Sequence, residues 1–384
     1  MGGAVVTPDR IDLVTLNRTT LQRQHLLSRS SDSPMSVVSH LLGLQSQVPG
    51  DPYIGLWSRI QDFDPAQLST LMEERVVVRM VVMRGTIHLL TADDAVGLRA
   101  YAQGALDQEL RSHGEHKDHL KDIDLAPVLD FAEPHLTAAA LTPMQLRALL
   151  ATEFEHLNSA ALALACRNRL PLVQTPPRGL WQKSGGLRLM TLKGWIGRDC
   201  TAVSTRRSKE IVRRYLASFG PAMPSDIVAW SRAPILGRTM EEMAPTLRAY
   251  ASGRSPLLYD LPDAELVRAE TRAAPRFLPQ YDNLLLSHRD RSRFGDEQRR
   301  QSLGQALSAK GTVLIDGRIG AAWHVTRDST HKPASRAAAT LEVQHLDKLD
   351  LAERQAVEAE GLRLLSLLTP TAAQHEVRFT LIDS

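Results

Sequence analysis

The stretch VVVRMVVMRGTIHLLT, residues 76–91, decides the fold. It is rich in valine and isoleucine and is interrupted by Arg84 and Gly85, so it predicts two strands joined by a turn. Helical patterns precede it, and Ser33 and Asp64 are expected N-caps because each stands directly before a proline. Helices followed by a hairpin are typical of a winged helix, a variant of the helix-turn-helix motif.

The same order of elements recurs twice further along the chain. LTPMQLRALLATEF (141–154) and ALALACRNRL (161–170) have helical patterns and precede a hairpin with a tip rich in proline and glycine. In the third pass, residues 208–231 and 234–250 are predicted to be helical. LLYDLPDAELVRAE (257–270) is predicted to be the strand pair that follows. The recurrence is one of pattern and not of sequence.

After about residue 275 the chain becomes rich in strand patterns. GTVLIDGRIGAAWHV (311–325) predicts a hairpin with a tight turn at Asp316 and Gly317. ATLEVQHLD and EVRFTLID predict further strands, with the amphipathic helix AERQAVEAEGLRLLSLL between them. HVTRDSTHKPASRAA (324–338) is polar and irregular, and it is predicted to be a mobile loop.

These patterns together predict an α+β fold that is mainly helical. We expect three tandem winged-helix units and a small C-terminal unit that is β-rich and barrel-like. The expected divisions are residues 1–125, 126–204, 205–275 and 276–384.

Composition is that of a globular protein and excludes several classes. The chain of 384 residues is 43% hydrophobic and 23% charged, and it is too long for one simple core. No apolar run approaches the roughly 20 residues that cross a bilayer, so we expect no membrane span and no signal peptide. The two cysteines, Cys166 and Cys200, are too few for a disulfide framework. This indicates a reducing compartment, and we expect a cytoplasmic protein.

The cations are mostly arginine and are unevenly distributed. Only 8 of the 46 basic residues are lysine, and the net charge is +3. The planar guanidinium suits phosphates and base edges better than an ammonium does. TRRSKEIVRRY (205–215) holds five bases and one acid. Local basic patches of this kind permit nucleic-acid binding without establishing it.

Common cofactor and metal motifs are absent from the sequence. It has no phosphate-binding GxxxxGK[ST], no GxGxxG after a strand, no HExxH and no cysteine pair, so a nucleotide-driven motor, a Rossmann dehydrogenase and a zinc finger are disfavoured. RSHGEHKDHL places His113, His116 and His119 three residues apart, which could hold a metal. The segment is otherwise polar, so a solvated surface is favoured, and we expect no metal and no cofactor.

The stretch LLGLQSQVPGDP (41–52) places Gln45 and Gln47 around one small serine. Gly43 weakens the preceding helix, and Pro49 forces Val48 out of helical geometry. If the segment is extended, both glutamine side chains point the same way and can hold one object. If the helix continues, they point apart and are an ordinary solvated helix end. An amide does not titrate near neutral pH, so it can orient water but cannot act as a general base.

Two hairpins carry further candidate residues. Strand alternation puts Thr86 and His88 on one face with Arg84 at the turn, where they could face a DNA groove or belong to an ordinary surface strand. In TPPRGLWQKSGG (175–186), Arg178 and Trp181 could pair with a phosphate and stack on a base. The alternative is that Trp181 packs into a local core.

Seven segments, taken together and in this order, resemble the AlkZ-like winged-helix DNA glycosylases, a family related to YcaQ: LNRTTLQRQHLL, LLGLQSQ, VMRGTIHLLTADDA, QTPPRGLWQKSG, FGPAMPSDIVAWS, LPQYDNLLLSHRDRSRF and VLIDGRIGAAWHV. The resemblance implies a C-shaped arrangement of three winged helices with a C-terminal β unit. It also implies that Gln45 and Gln47 are the catalytic Gln-x-Gln motif, whereas the YcaQ-like branch has Gln-x-Asp. Ser46 departs from the aliphatic residue usual in the family.

The resemblance implies a monofunctional DNA glycosylase of genotoxin self-resistance and base excision repair. Its substrate would be double-stranded DNA with cationic N7-alkylguanine, including bulky natural-product adducts and interstrand crosslinks. We expect a monomer that acts at the nucleoid. Within LPQYDNLLLSHRDRSRF, the side chains of Asn283, Arg291 and Arg293 are predicted either to contact DNA or to be structural, as is Asp282. The alternative function is a non-catalytic winged-helix DNA-binding regulator or drug-sequestering protein.

Overall fold

The computed structural model describes residues 8–253, 256–296, 301, 310–327 and 338–382. Of the predicted mobile loop at 324–338, residues 328–337 lie outside this described part. Residues 324–327 and 338 belong to strands instead. No helix in the described part is both long enough and apolar enough to cross a bilayer.

Sixteen α-helices in the described residues carry the labels used below, and four short 3₁₀ helices are left unlabelled. They are α1 Leu13–Arg23, α2 Pro34–His40, α3 Asp51–Trp57, α4 Pro65–Glu73, α5 Ala92–Leu98, α6 Gln103–Ser112, α7 Lys117–Leu120, α8 Ala126–Ala138, α9 Pro143–Glu153, α10 Ser159–Arg169, α11 Leu192–Ile196, α12 Thr205–Phe219, α13 Pro224–Ser231, α14 Pro234–Met243, α15 Asn283–Leu286 and α16 Leu351–Leu368.

Thirteen strands in the described residues form three sheets. They are β1 Asp9–Arg10, β2 Leu44–Gln45, β3 Val77–Val81, β4 Ile87–Thr91, β5 Leu172–Gln174, β6 Leu189–Thr191, β7 Arg248–Ala251, β8 Leu258–Asp260, β9 Arg276–Leu278, β10 Gly311–Ile315, β11 Arg318–Arg327, β12 Ala338–His345 and β13 Gln374–Leu381. The strand orders are β1-β7-β8, β2-β4-β3-β5-β6 and β13-β12-β11-β10-β9.

Short polar side chains begin the helices where the sequence predicts them. The Ser33 hydroxyl accepts from the Ser36 backbone N–H at 3.2 Å, and the Asp64 carboxylate accepts from that of Ala66 at 2.9 Å. Thr142 and Gln145 form a reciprocal capping box. Each cap satisfies N–H groups that have no partner inside the helix, and proline follows because its missing N–H costs nothing there. The predicted N-caps are confirmed.

Three winged-helix units follow one another along the chain, as the sequence predicts. In each unit helices precede an antiparallel hairpin, formed by β3 and β4, by β5 and β6, and by β7 and β8. The first two hairpins join into one sheet because β3 also pairs with β5, with Arg79 opposite Gln174. The third hairpin pairs instead with β1 near the N-terminus.

The third hairpin lies earlier in the chain than predicted. Its strands are Arg248–Ala251 and Leu258–Asp260, so the expected strand pair across 257–270 is wrong in its second half. The helix predicted over residues 234–250 is also too long, because α14 ends at Met243. The physical reason is Pro245, which lacks the N–H that would donate to the Glu241 carbonyl in a continued α-helix, so the chain passes into a 3₁₀ turn at Ala244–Thr246. Helix α14 therefore ends at Met243, and the segment that follows is free to form β7.

The C-terminal unit is a five-stranded sheet with α16 packed against it. The turn at Asp316 and Gly317 is confirmed, and both residues have positive φ, 42° and 74°. Strands β12 and β13 are parallel and are connected by α16, which is the usual crossover for parallel strands. In the described residues β9 and β13 are edge strands, so the β-rich sheet is open and does not close into the expected barrel.

The hydrophobic cores cross the expected divisions of the chain. The divisions coincide with the starts of α8, α12 and β9. One buried cluster nevertheless joins Val78, Val173 and Phe219 from three different units. A second cluster joins Leu89 of the first unit to Val313 of the C-terminal unit. The units therefore pack as one body around shared cores.

Candidate active site

The segment with the two glutamines is extended at Gln45. Leu42 and Gly43 have positive φ, 56° and 97°, and they lead the chain from α2 into β2. A Cβ at Gly43 would lie 2.3 Å from the Leu90 side chain, so only glycine fits there. Gln45 then stands opposite His88 in the pairing of β2 with β4. Of the two geometries that the sequence left open, the extended one is observed at this position.

Asn283 covers the outer edge of β2. Its Oδ1 accepts from the Gln45 backbone N–H at 3.2 Å, and its Nδ2 donates to the Gly43 carbonyl. The residue is 2% exposed. The two possible roles for Asn283 are thereby distinguished: it is a buried structural link to the glutamine strand, and it does not lie on a surface that DNA could reach.

Arg84 holds the Gln45 side chain. Its Nη2 donates to Gln45 Oε1 at 2.6 Å, and its Nη1 donates to the Trp230 carbonyl at 2.7 Å. Burial, and to a smaller extent repulsion from Arg291 and Arg232, lowers the pKa of Arg84 to about 10. In the described residues its side-chain hydrogen bonds go only to uncharged acceptors. Arg84, predicted to contact DNA, instead contacts the glutamine strand.

His88 is a second contact of Arg84. The ring is 1% exposed, with Nδ1 3.0 Å from the Thr86 carbonyl and Nε2 3.2 Å from Arg84 Nη2. Burial and the Arg84 charge lower the pKa of His88 to about 3, so the ring is neutral. The expectation that His88 faces a groove is wrong, because β4 is an inner strand covered on both faces. Thr86 is half-buried and donates to the Met83 carbonyl at 3.1 Å.

Gln47 differs from Gln45 in its surroundings. It is exposed, next to the exposed aliphatic side chain of Val48. Its Oε1 accepts from the Ile87 backbone N–H at 3.4 Å, which is a long contact. Gln45 is 8% exposed by comparison. One amide is therefore clamped at the edge of the sheet and the other is at the surface.

Ser46 fixes the glutamine segment to Arg79 of strand β3. Arg79 donates from Nε to the Ser46 hydroxyl and from Nη2 to the Ser46 carbonyl, both at 2.8 Å. Both residues are almost fully buried, and burial lowers the pKa of Arg79 to about 10. Sequence reasoning missed Arg79. The signal available was a single arginine inside the apolar run VVVRMVV, which a buried strand tolerates only if the cation has partners.

Comparisons with known proteins match this architecture. The family model described as DNA glycosylase AlkZ-like matches residues 38–367, which include both glutamines and the hairpins of all three winged-helix units. The chain belongs to the AlkZ-like DNA glycosylase family. The fold is similar to that of the AlkZ DNA glycosylase of Streptomyces sahachiroi, with a TM-score of 0.76 and 18% identity over 97% of this chain and 100% of that chain. No curated protein matches the sequence.

This AlkZ-like chain is therefore a DNA glycosylase, a hydrolase of N-glycosyl bonds that binds DNA and acts in DNA repair.

The proline- and glycine-rich tip of its second hairpin folds back toward the glutamine segment. Gly179 lies against Arg79, and its carbonyl accepts from the Tyr53 hydroxyl at 2.8 Å. Trp181 is half-buried, with its ring 4.8 Å from that of Tyr53. Of the two alternatives for Trp181, core packing is the arrangement observed.

The remaining arginines predicted to bind DNA are unequal in exposure. Arg178 is half-buried, and its Nη1 is 3.5 Å from the Gly185 carbonyl. Arg293 is 5% exposed and donates to Thr20 and Pro221, so its predicted DNA contact is not available at the surface of this AlkZ-like protein. Arg291 is half-buried and lies close enough to Arg84 to lower the pKa of that residue.

The histidine cluster does not form a metal site. The rings of His113 and His116 stack with centroids 4.9 Å apart. In the described residues no group of three or more histidine, cysteine, aspartate or glutamate side chains is placed to hold a metal ion. The possibility that His113, His116 and His119 hold a metal ion therefore has no ligand set in this part of the AlkZ-like chain.

Proposed function

We propose that this DNA glycosylase hydrolyses the N-glycosidic bond of cationic N7-alkylguanine in duplex DNA. The proposal includes bulky natural-product adducts and interstrand crosslinks. The observation that carries it is the composition of the candidate site: Gln45 and Gln47 are uncharged amides, and no carboxylate in the described residues hydrogen-bonds to either one. Such a site suits a bond that is already weak.

The chemistry of the lesion suits a site that has two neutral amides and, in the described residues, no carboxylate hydrogen-bonded to either one. Alkylation at N7 gives guanine a positive charge and weakens its bond to the sugar. Water attacks C1′ while the bond from C1′ to N9 breaks, and the bonding electron pair leaves with the base. The departing base becomes neutral, so no general acid is required, and the water proton passes to solvent. The transition state resembles an oxocarbenium ion, for which other glycosidases use paired carboxylates. Here Gln45 and Gln47 position the water.

The test is base release from duplex DNA that carries one N7-methylguanine. Single-turnover release is measured as abasic sites, with unmodified duplex as the substrate control. We expect release from the cationic lesion only, and a fall of roughly 10²- to 10³-fold in Gln45→Ala and Gln47→Ala, the range for loss of one positioned polar group. Gln67→Ala is the matched control, because Gln67 is an exposed glutamine on α4.

Two outcomes contradict the proposal in different ways. If the wild type releases no base from any cationic adduct, the substrate assignment is wrong, and DNA binding without turnover would favour the regulator alternative. If the wild type is active but neither alanine variant is slower than Gln67→Ala, the substrate stands and the assignment of the two glutamines is wrong.

The proposed physiological role is self-resistance to a DNA-alkylating natural product by base excision repair. We expect the protein to act as a monomer on nucleoid DNA in the cytoplasm. Bacteria that express the wild type should survive an N7-alkylating agent better than bacteria that express Gln45→Ala at equal protein level. Equal survival of the two strains would separate the catalytic activity from any resistance.

A further inference from the structure

We infer that Arg84 is a positioning residue that turns the Gln45 amide so that Gln45 acts through its NH2 donors while Gln47 supplies the acceptor oxygen. This inference rests on the proposed function, and it assigns unequal roles to two residues of the same type.

The orientation of Gln45 follows from the chemistry of arginine. A guanidinium has only donors, so the Gln45 atom that lies 2.6 Å from Arg84 Nη2 must be the carbonyl oxygen. An amide is planar, so its NH2 group then points away from Arg84. Within the described residues Nε2 has no protein acceptor, and it is not among the polar atoms that are buried without a partner. The NH2 group of Gln45 is therefore not fully buried, although the residue as a whole is only 8% exposed, and its donors have no partner in the described residues.

Arg84 is itself fixed by three elements. Arg84 Nη2 donates one hydrogen to Gln45 Oε1 on β2 and the other to His88 Nε2 on β4, at 3.2 Å for His88. Nη1 donates to Trp230 at the end of α13. The contact of His88 Nδ1 with the Thr86 carbonyl requires a proton on Nδ1, so Nε2 of the neutral ring is the acceptor. Rotation of the Gln45 amide would bring its NH2 against a buried guanidinium and leave an N–H without an acceptor.

The Gln47 amide, unlike that of Gln45, can rotate and present its carbonyl oxygen as an acceptor. Its side chain is exposed, and its contact of 3.4 Å with the Ile87 N–H is broken by a small rotation. A water between the two amides would accept from a Gln45 N–H and donate to Gln47 Oε1. Its second lone pair would remain for the bond to C1′, while the electron pair of the broken bond leaves with the base and the proton goes to bulk water.

The first test exchanges each glutamine for the isosteric acid. Gln45→Glu keeps an acceptor for Arg84 but removes both N–H donors, whereas Gln47→Glu keeps the acceptor oxygen assigned to Gln47. Both variants add the same charge, so their difference reports the donors. On the N7-methylguanine duplex at saturating enzyme, we expect the single-turnover rate of Gln45→Glu to fall roughly 10²-fold or more. That of Gln47→Glu should stay within about tenfold of the wild type. Equal rates for the two variants would overturn the inference.

The second test is a double-mutant cycle of Arg84→Met with Gln45→Ala. A residue that acts through Gln45 should matter only while that side chain is present. We expect Arg84→Met to slow the wild type by about tenfold or more and the Gln45→Ala enzyme by less than about threefold, with folding checked by circular dichroism. The same fold-loss in both backgrounds, with weaker DNA binding by fluorescence anisotropy, would assign Arg84 to a DNA phosphate instead.

Failure of the proposed function and failure of the inference about Gln45 give different experimental results. If the wild type releases no base, the proposed function fails and the inference falls with it. If the wild type and Gln47→Glu are active and Gln45→Glu is equally active, the proposed function stands and only the inference fails. Gln45→Glu leaves Arg84 paired, so it provides this answer even if Arg84→Met does not fold.

Discussion

Asp51, near the glutamine segment, is a buried acid with one carboxyl oxygen that lacks a hydrogen-bond partner in the described residues. It lies four residues after Gln47 and is 7% exposed, and the oxygen without a partner is Oδ2. Burial, and to a smaller extent the nearby Asp282 charge, raises the pKa of Asp51 to about 7. At the scale of one residue, the folded protein therefore keeps this carboxyl protonated over a pH range in which the unfolded chain ionises it.

Asp51→Asn should make the protein more stable at alkaline pH. The unfolded value is near 3.8, so wild-type stability falls as pH rises from about 4 to about 7, by about 1.4 kcal/mol per pH unit from this group. Asparagine removes that loss. The free energy of unfolding, measured by denaturant titration at pH 5 and pH 8, should favour Asp51→Asn increasingly toward pH 8. Asp118→Asn, an exposed control, should follow the wild type. Parallel curves for wild type and Asp51→Asn would contradict the assignment.

At the scale of elements, the second hairpin supports the strand under the glutamines. Gly179 has φ of 98°, and a Cβ there would lie 2.9 Å from Arg79 Cδ and 3.0 Å from Met72 Cε. Arg79 in turn holds Ser46 by two hydrogen bonds. The tip, the strand β3 and the glutamine segment are thus in contact in series, so we expect a change at the tip to shift the candidate site.

Gly179→Ala should destabilise the protein, and Gly186→Ala should not. The first change adds a methyl group against a buried arginine and forces an unfavourable φ, for which we expect a cost of about 1–3 kcal/mol. A Cβ at Gly186, in the same tip, meets nothing within 4 Å. Denaturant titration measures both variants, and single-turnover release shows whether the shift reaches the glutamines. A Gly179→Ala variant as stable as Gly186→Ala would mean that the tip does not support Arg79.

At the scale of the whole molecule, one buried ion pair joins distant parts of the chain. Arg59 donates to both oxygens of Asp282 at 2.6 and 2.8 Å, and both side chains are almost fully buried. Arg59 also contacts Gln24 of the N-terminal segment at 3.3 Å. Asp282 precedes Asn283, which covers the edge of β2. The pair therefore connects three regions close to the candidate site.

Asp282→Asn should be strongly destabilising although it is nearly isosteric. Asparagine can still cap α15, so the change mainly leaves the Arg59 charge buried without a counter-charge, at a cost of about 3–5 kcal/mol. Asp199→Asn is the control, because the pair of Lys193 and Asp199 is exposed, and we expect less than about 1 kcal/mol there. Thermal and denaturant unfolding provide the comparison. Similar losses in both variants would show that the buried pair is not what joins these regions.

The sequence by itself determined the features that depend on neighbours within a few residues. Ser33, Asp64 and Thr142 cap helices, Asp316 and Gly317 form a turn, and the order of helices and hairpins is that of three winged helices. Caps, prolines and turns act through local hydrogen bonds and fixed dihedral angles, so their effect is visible in a short stretch of sequence.

Only the tertiary structure decided how the candidate site is built. Alternation along β4 predicted an outward His88, but the strand is covered on both faces and the ring is buried. The contact of Arg84 with Gln45 spans 39 residues, and that of Asn283 with Gln45 spans 238. Such contacts depend on which surfaces pack together, and the periodicity of one segment contains no information about the segment that will cover it. The sequence thus indicated the two glutamines, and the packing of remote arginine and asparagine side chains decided how they are held.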